Sequence, residues 1–211
     1  MPVEIMKKVL IVKYTPREDS NTQKLLAEAM QIIAARAGSF EIEELDLTVS
    51  APDLMGRQSI TSYLDDIGWE TAGPDFPGHS KGYLHMKKLA NMITNSDFLV
   101  LAFPFYNFFL PGIVKLWLDN VTLEGVAFER TDYGPKGLWT GKQALVINTS
   151  GGTPKDSSRD FSSPYLRYMF KYWGFEGSEI QGLYGINYSG ILPERLKEFK
   201  TEIERVVASW L

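Results

Sequence analysis

The sequence predicts an α/β protein in which helices cover both faces of a doubly wound, five-stranded parallel sheet, a three-layer α/β/α arrangement. Short runs of branched apolar residues, typical of strands buried on both faces, alternate with segments whose apolar residues recur at helical spacing. Strands that alternate with helices form parallel sheets, and right-handed connections place helices on both faces. The chain has 211 residues, 44% of them hydrophobic, which fits a single domain over residues 1–211.

The first half of the chain supplies three of the predicted strands, over residues 9–14, 40–47 and 97–103. In the second of these the apolar alternation changes phase, which predicts a bulge or bend. Helical spacing predicts helices over residues 25–34, ending at Gly38, and over residues 83–93. Residues 48–80 carry three prolines and four glycines, so we expect a mostly irregular, functional or mobile segment with a short helix over residues 61–67.

The second half continues the alternation with two strands and three helices. Pro111 sits where the first turn of a helix over residues 111–121 tolerates it. A strand over residues 143–148 is followed by a helix over residues 164–173, which Gly174 ends, and by a strand over residues 179–186. The last helix begins at Pro193 and carries an apolar face as far as Trp210. The total is five strands and five helices.

Composition and charge exclude several classes of function. The 22 basic and 26 acidic residues give a net charge of -4, which argues against nucleic acid as a partner. The chain has no cysteine, which excludes thiol nucleophiles and cysteine-ligated iron–sulfur clusters. The two histidines, His79 and His85, give only weak support for a metal site. Without an apolar run of about 20 residues or a secretory signal, we expect a cytoplasmic protein with no membrane partner.

The loops that follow the first, third and fourth strands are where a ligand is expected. In a doubly wound sheet, ligands bind beyond the carboxyl ends of the strands, where the strand order reverses. The first of these loops lacks the glycine patterns of dinucleotide folds and nucleoside triphosphatases. It carries Ser20, Asn21 and Thr22 at a helix N-terminus, a place that suits a phosphate. A plain helix cap, with Ser20 as N-cap and Gln23 three residues later, is the simpler interpretation of this loop alone.

The second loop begins at Pro104 and places four aromatic residues around Asn107. These residues fit either a core or dimer contact or a flat wall for a planar heteroaromatic ring. The third loop, Thr149 to Gly152, ends in a glycine pair that allows close approach of the backbone to a ligand and is equally common in ordinary turns. Three weak signals on three ligand-facing loops of one sheet support a binding site more strongly than each does alone.

These segments together resemble the FMN-dependent NADH azoreductases and, more distantly, the NAD(P)H quinone reductases. The resemblance covers roughly residues 8–190 and is carried by short motifs that occur in the same order. They are FPFYNF at 103–108, GVAF at 125–128, YGPKGL at 133–138, GKQA at 141–144 and TSGG at 149–152.

The resemblance implies a flavodoxin-like fold, non-covalently bound FMN and a homodimer with active sites at the subunit interface. Its phosphate contacts would fall on Thr15, Ser20, Asn21 and Thr22. Its flavin-ring contacts would fall on Pro104, Phe105, Tyr106, Asn107, Phe108, Thr149, Ser150, Gly151 and Gly152. Phe105 and Phe128, together with residues 55–70, would wall the pocket of the electron acceptor.

We therefore expect an FMN-dependent oxidoreductase with a ping-pong cycle, in which NADH or NADPH gives hydride to flavin N5 and a quinone, azo or nitroaromatic compound then takes two electrons. No side-chain base is needed, and Arg57 and Arg130 are candidates for a ribose phosphate of NADPH. One alternative is a flavodoxin-type electron carrier, which the long segments at 48–80 and 122–142 disfavour. A flavin-free interaction module that reuses the fold is another.

Overall fold

A computed structural model of the chain describes residues 6–36, 40–69, 79–152 and 157–210. Within these residues seven strands and seven helices follow one another. In chain order they are β1 (Lys7–Lys13), α1 (Asn21–Ala34), β2 (Phe40–Asp46), α2 (Arg57–Asp66), α3 (Lys81–Thr94), β3 (Phe98–Pro104), α4 (Gly112–Val121), β4 (Phe128–Thr131), β5 (Gly134–Gly137), β6 (Gln143–Ser150), α5 (Ser162–Trp173), β7 (Gly177–Tyr184), α6 (Ile186–Ser189) and α7 (Pro193–Ala208).

Five of the strands form one parallel sheet in the order β2-β1-β3-β6-β7, which confirms the predicted architecture. The strand order reverses beside β1, since β2 lies on one side of it and all later strands of the sheet lie on the other. All five strands end at the same edge. The loops after β1, β3 and β6 therefore meet where a doubly wound sheet binds its ligands.

The predicted burial of the central strands on both faces is also confirmed. In β1, Val9 and Ile11 pack with residues of α1 and α7, whereas Leu10 and Val12 pack with residues of α3, α4 and α5. All four side chains are fully buried. Successive side chains of a strand point to opposite faces, so a strand covered by helices on both sides is apolar at every position.

The bulge or bend predicted in the second strand is wrong. Residues of β2 pair one to one with β1, from Phe40 opposite Lys7 to Asp46 opposite Lys13. The phase of the apolar residues changes because β2 is an edge strand whose two halves pack on different helical layers. Phe40 contacts the layer of α1 and α7, whereas Leu45 lies in the layer of α3 and α4.

The segment between β2 and α3 is more ordered than the sequence predicts. Helix α2 begins at Arg57 instead of residue 61 and ends at Asp66 instead of residue 67. Contacts between aspartate and histidine join the segment to α3 and to the second residue before it: Asp53 lies 2.9 Å from His85, and Asp66 lies 3.1 Å from His79. Residues 70–78 lie outside the described residues, as does Gly38, the predicted end of α1.

The hairpin β4–β5 was not predicted, and it adds two strands outside the five-stranded sheet. The short helix α6 was not predicted either, and the expected count of five helices is wrong, since the described residues form seven. Strand β5 reads Gly-Pro-Lys-Gly, a composition typical of turns, and α6 has only four residues, too few for a periodic pattern. Pro111 is the N-cap of α4 and precedes its first turn. Helix α5 begins two residues before Pro164, and Gly174 ends it in the left-handed conformation at φ 93°, as expected.

Candidate functional site

The loop after β1 ends in a capped helix start that leaves backbone donors free. Ser20 is the N-cap of α1, and its hydroxyl accepts a hydrogen bond from Gln23 N at 3.2 Å. The Gln23 side chain bonds the Thr15 hydroxyl at 3.0 Å and does not return to Ser20, so the capping-box interpretation holds only in part. Within the described residues, the N–H groups of Asn21 and Thr22 have no acceptor. A cap and an anion site therefore coexist here.

The loop after β3 is a tight turn in a strained conformation. Tyr106 and Phe109 exchange two backbone hydrogen bonds of 2.9 Å, and the residues between them, Asn107 and Phe108, have φ of 48° and 68°. Both values lie in the left-handed region, which asparagine tolerates and phenylalanine rarely adopts. The turn holds Tyr106 and Phe108 40% and 47% exposed. Strain of this kind concentrates at functional sites, and here it displays aromatic rings beside the sheet edge.

The loop after β6 is tied to both of the others. The Thr149 and Thr22 hydroxyls share a hydrogen bond of 2.7 Å, and the Thr149 carbonyl accepts from Phe105 N at 2.8 Å. Phe161, the N-cap of α5, also donates its backbone N–H to the carbonyl oxygen of Phe108 at 3.2 Å. This bond joins the aromatic turn to the start of α5. The three loops that the sequence singles out thus form one connected rim, which we call the near wall.

A cavity of about 130 Å³ opens beside the near wall. Eight of the predicted cofactor-binding residues line it: Ser20, Asn21, Thr22, Pro104, Phe105, Tyr106, Thr149 and Gly151. The other five predicted residues, Thr15, Asn107, Phe108, Ser150 and Gly152, belong to the same loops but do not line this cavity. Phe128 lies elsewhere: it is 8% exposed and packs on Tyr172 with ring centroids 4.9 Å apart. Its role in the acceptor pocket stays a prediction.

Four lining residues were missed by the sequence reasoning. Pro16 and Arg17 lie in the first loop, and the guanidinium is an exposed cation that the loop sequence could have indicated. Ile186 and Asn187 of α6 also line the cavity, and we call this part of its lining the far wall. They follow β7, which no sequence motif connects to the three loops. Only the parallel pairing of β6 with β7 places them there.

The electrostatics of the cavity favour an anion at the first loop and a neutral phenol at Tyr106. The positive end of the α1 dipole and the Arg17 side chain both face the first loop. Burial raises the pKa of the Tyr106 hydroxyl, Tyr14 raises it further, and Arg17 opposes both. The phenol therefore stays protonated at neutral pH and is a hydrogen-bond donor.

Metal and membrane chemistry find no support in the part of the chain that the structure describes. No group of three or more acidic or histidine side chains is arranged to hold a metal ion there. His79 and His85 are each paired with an aspartate instead. Among the same residues, no helix combines the length and apolar character needed to span a bilayer.

Comparison with known proteins gives consistent matches over nearly the whole chain. A family model described as a flavodoxin-like fold matches residues 7–207. The FMN-dependent NADH:quinone oxidoreductase 2 of Pseudomonas putida is 30% identical over 191 residues, covering 90% of this chain and 94% of the relative. The FMN-dependent NADH:quinone oxidoreductase of Thiobacillus denitrificans is 32% identical over 178 residues, 82% of each chain.

Solved structures agree with this architecture. The azoreductase of Bacillus anthracis strain Sterne is 23% identical with a TM-score of 0.79, covering 97% of this chain and 98% of that one. The FMN complex of an FMN-dependent NADH-azoreductase from B. anthracis strain Ames Ancestor is 20% identical with a TM-score of 0.81, covering 97% and 99%. At this level of identity the likeness concerns the fold.

Proposed function

We propose, from the premise that this chain belongs to the flavodoxin-like family of FMN-dependent NADH:quinone oxidoreductases and azoreductases, that its cavity binds FMN and that quinones or azo compounds are reduced beside it. The protein is an oxidoreductase with FMN as cofactor and NADH as electron donor. The single observation that carries the site assignment is the convergence of unbonded N–H donors, an arginine and an aromatic turn on one cavity.

The residues present fit FMN at both ends. The unbonded N–H groups of Asn21 and Thr22, the α1 dipole and Arg17 suit a doubly charged phosphate. The half-buried Phe105 and Tyr106, which begins the strained turn, line the cavity and supply a flat aromatic wall for a planar ring. The chain offers no cysteine as a redox group of its own, so a bound cofactor must carry the electrons.

When bound, FMN supplies a two-electron carrier that NADH reduces and an acceptor re-oxidises in turn, a ping-pong cycle. The protein's part is to bind, orient and exclude water. Ser20 and Thr149 hold the first and third loops in register through their hydrogen bonds to Gln23 and Thr22. The backbone N–H of Gly151, which lines the cavity, would stabilise negative charge on a ring beside it.

We infer that NADH is preferred over NADPH because neither candidate arginine is free at the cavity. Arg130 bonds Glu124 at 3.1 Å and lies 3.7 Å above the ring of Trp69. Arg57 is exposed at the start of α2 and does not line the cavity. Neither of these two residues therefore offers the cavity an unpaired cation for a ribose phosphate.

We also propose a homodimer built from a single domain per chain. Phe108, Phe161 and Tyr168 are 47%, 60% and 65% exposed, and the Phe161–Phe108 hydrogen bond places two of these rings on one surface. Exposed aromatic clusters of this kind mark protein interfaces. Gel filtration with light scattering tests the assignment, and a monomer with full activity would contradict it.

The proposed function is tested by loading and turnover. Purified protein, or apoprotein mixed with FMN, is expected to show flavin absorption and to oxidise NADH when menadione or an azo dye is added. Flavin uptake without acceptor-dependent turnover would support the electron-carrier alternative. A colourless protein that FMN neither binds nor stabilises would overturn the proposal.

A further inference from the structure

The far wall touches the near wall at Gly151, where a Cβ would displace the Asn187 side chain. Asn187 N donates to the carbonyl oxygen of Gly151 at 3.2 Å. The Asn187 side chain also lies directly on the Gly151 Cα: a Cβ built at residue 151 would be 2.6 Å from Asn187 Cγ and 2.8 Å from its Oδ1. Any larger residue at 151 would displace this amide, so the two walls are in mutual contact.

Helix α6 is held in place by bonds on both sides. The Tyr184 hydroxyl donates to Asn148 Oδ1 at 2.6 Å, and Arg195 donates to the Tyr184 carbonyl oxygen at 2.7 Å. Asn148 is fully buried in β6, one residue before Thr149. These bonds fix the start of α6 relative to the end of β6. Asn187 is therefore positioned by the fold, although its own side chain is at the surface.

The amide of Asn187 is free to meet a ligand. Asn187 lines the cavity together with Asn21 and Tyr106. Within the described residues, the nitrogen and oxygen of its side chain have no hydrogen-bond partner. An asparagine side chain offers two N–H donors and one acceptor oxygen. A polar group placed against the backbone at a cavity, and left without a protein partner, suits the oxygen atoms of a polyhydroxylated or phosphorylated ligand.

We propose that Asn187 is a further cofactor-binding residue, whose amide donates a hydrogen bond to an oxygen of bound FMN while its contact with Gly151 holds the third loop closed. This inference rests on the proposed function. It adds to the cavity a binding residue that lies outside the three loops after β1, β3 and β6.

The first test compares variants of residue 187 by FMN affinity. Full-length apoprotein is titrated with FMN while quenching of flavin fluorescence is followed. Asn187→Ala is expected to weaken binding about fivefold, the value of one neutral hydrogen bond. Asn187→Asp keeps the shape, lacks the N–H donors and adds a negative charge, so a larger loss of about tenfold or more is expected. Asn91→Asp, at an exposed position on α3, is the matched control and is expected to bind like wild type.

The second test is a double-mutant cycle between residues 151 and 187. Gly151→Ala is expected to weaken FMN binding in the wild-type background and much less in the Asn187→Ala background, where the side-chain atoms in its way are gone. Thermal unfolding of each apoprotein checks that the variants are folded.

The outcomes separate the inference from its premise. Wild-type affinity in both Asn187 variants, or strictly additive effects in the cycle, would overturn the role of Asn187 while leaving FMN binding intact. Failure of the wild-type protein to bind FMN would overturn the proposed function and this inference with it.

Discussion

The two walls of the cavity differ in how they are built. The near wall consists of loops that each follow a buried strand directly, and their residue types already suit phosphate and ring binding. The far wall consists of Ile186 and Asn187, which reach the cavity only because β7 pairs with β6 in parallel. The difference teaches that local chemistry identifies residues at strand ends, whereas residues supplied by tertiary packing carry no local signal.

The largest effect is expected from adding a methyl group where β7 lies on β6. A Cβ at Gly182 would overlap the carbonyl oxygen of Asn148, so Gly182→Ala should separate the strands below α6 and cost about 2 kcal/mol of unfolding free energy. Because the far wall moves with β7, FMN affinity should fall as well. Urea unfolding and flavin titration measure the two effects.

Gly137→Ala is the control for that experiment. Its Cβ would overlap Gly174 N at the opposite edge of the sheet, so a similar loss of stability is expected with FMN affinity unchanged. Equal losses of affinity in both variants would show that the far wall has no special part in binding.

The bond between Tyr184 and Asn148 provides a milder test of the far wall. Tyr184→Phe removes the donor to Asn148 Oδ1, and Asn148 Nδ2 is already buried without a partner. Leaving both ends of a buried amide unsatisfied is expected to cost about 1–2 kcal/mol. FMN affinity should fall about threefold as α6 loosens. Unchanged affinity together with reduced stability would assign the bond to folding alone.

The strained turn of the near wall predicts a gain in stability, whereas the preceding substitutions are expected to reduce it. Phe108 has φ 68°, which costs a phenylalanine about 1 kcal/mol and a glycine almost nothing. Phe108→Gly should therefore raise the thermal unfolding midpoint of the apoprotein. A lower midpoint would show that the turn is not strained in solution.

The smallest effect is expected at Arg17, because its side chain is exposed. Arg17→Ala should weaken FMN about threefold at low salt and not measurably at high salt, and riboflavin, which has no phosphate, should bind both proteins equally. Arg57→Ala is the control. An equal loss for riboflavin would place Arg17 away from the phosphate.

Local patterns predicted the fold well where each strand or helix obeys its own periodicity. The fully buried β1 and β3 are the clearest cases, and the five-strand sheet follows from them. The pattern misled at β2, where an edge strand packs its two halves on different layers and mimics a bulge. It was silent for β5 and α6, which are four residues long and are held by the residues they contact.

The residues of the candidate site also divide into those that a local pattern predicts and those that tertiary packing supplies. Ser20, Asn21 and Thr22 were predicted because a helix start after a strand has free N–H donors whatever surrounds it. Asn187 has no such signal, since its place depends on the glycine at 151 and on a buried asparagine in another strand. Phe128 packs on Tyr172, and its part in the acceptor pocket stays a prediction.

The central claim is that four segments, the loops after β1, β3 and β6 and the helix α6, bind one molecule of FMN. Amide NMR of the full-length apoprotein tests this claim most directly. On addition of FMN, the backbone N–H signals of Asn21 and Thr22 and the side-chain amide of Asn187 should shift together and saturate at one equivalent, while the indole N–H of Trp139, bonded to Thr94 at 3.0 Å, stays in place. Saturable binding that leaves Asn21, Thr22 and Asn187 unshifted would contradict the account.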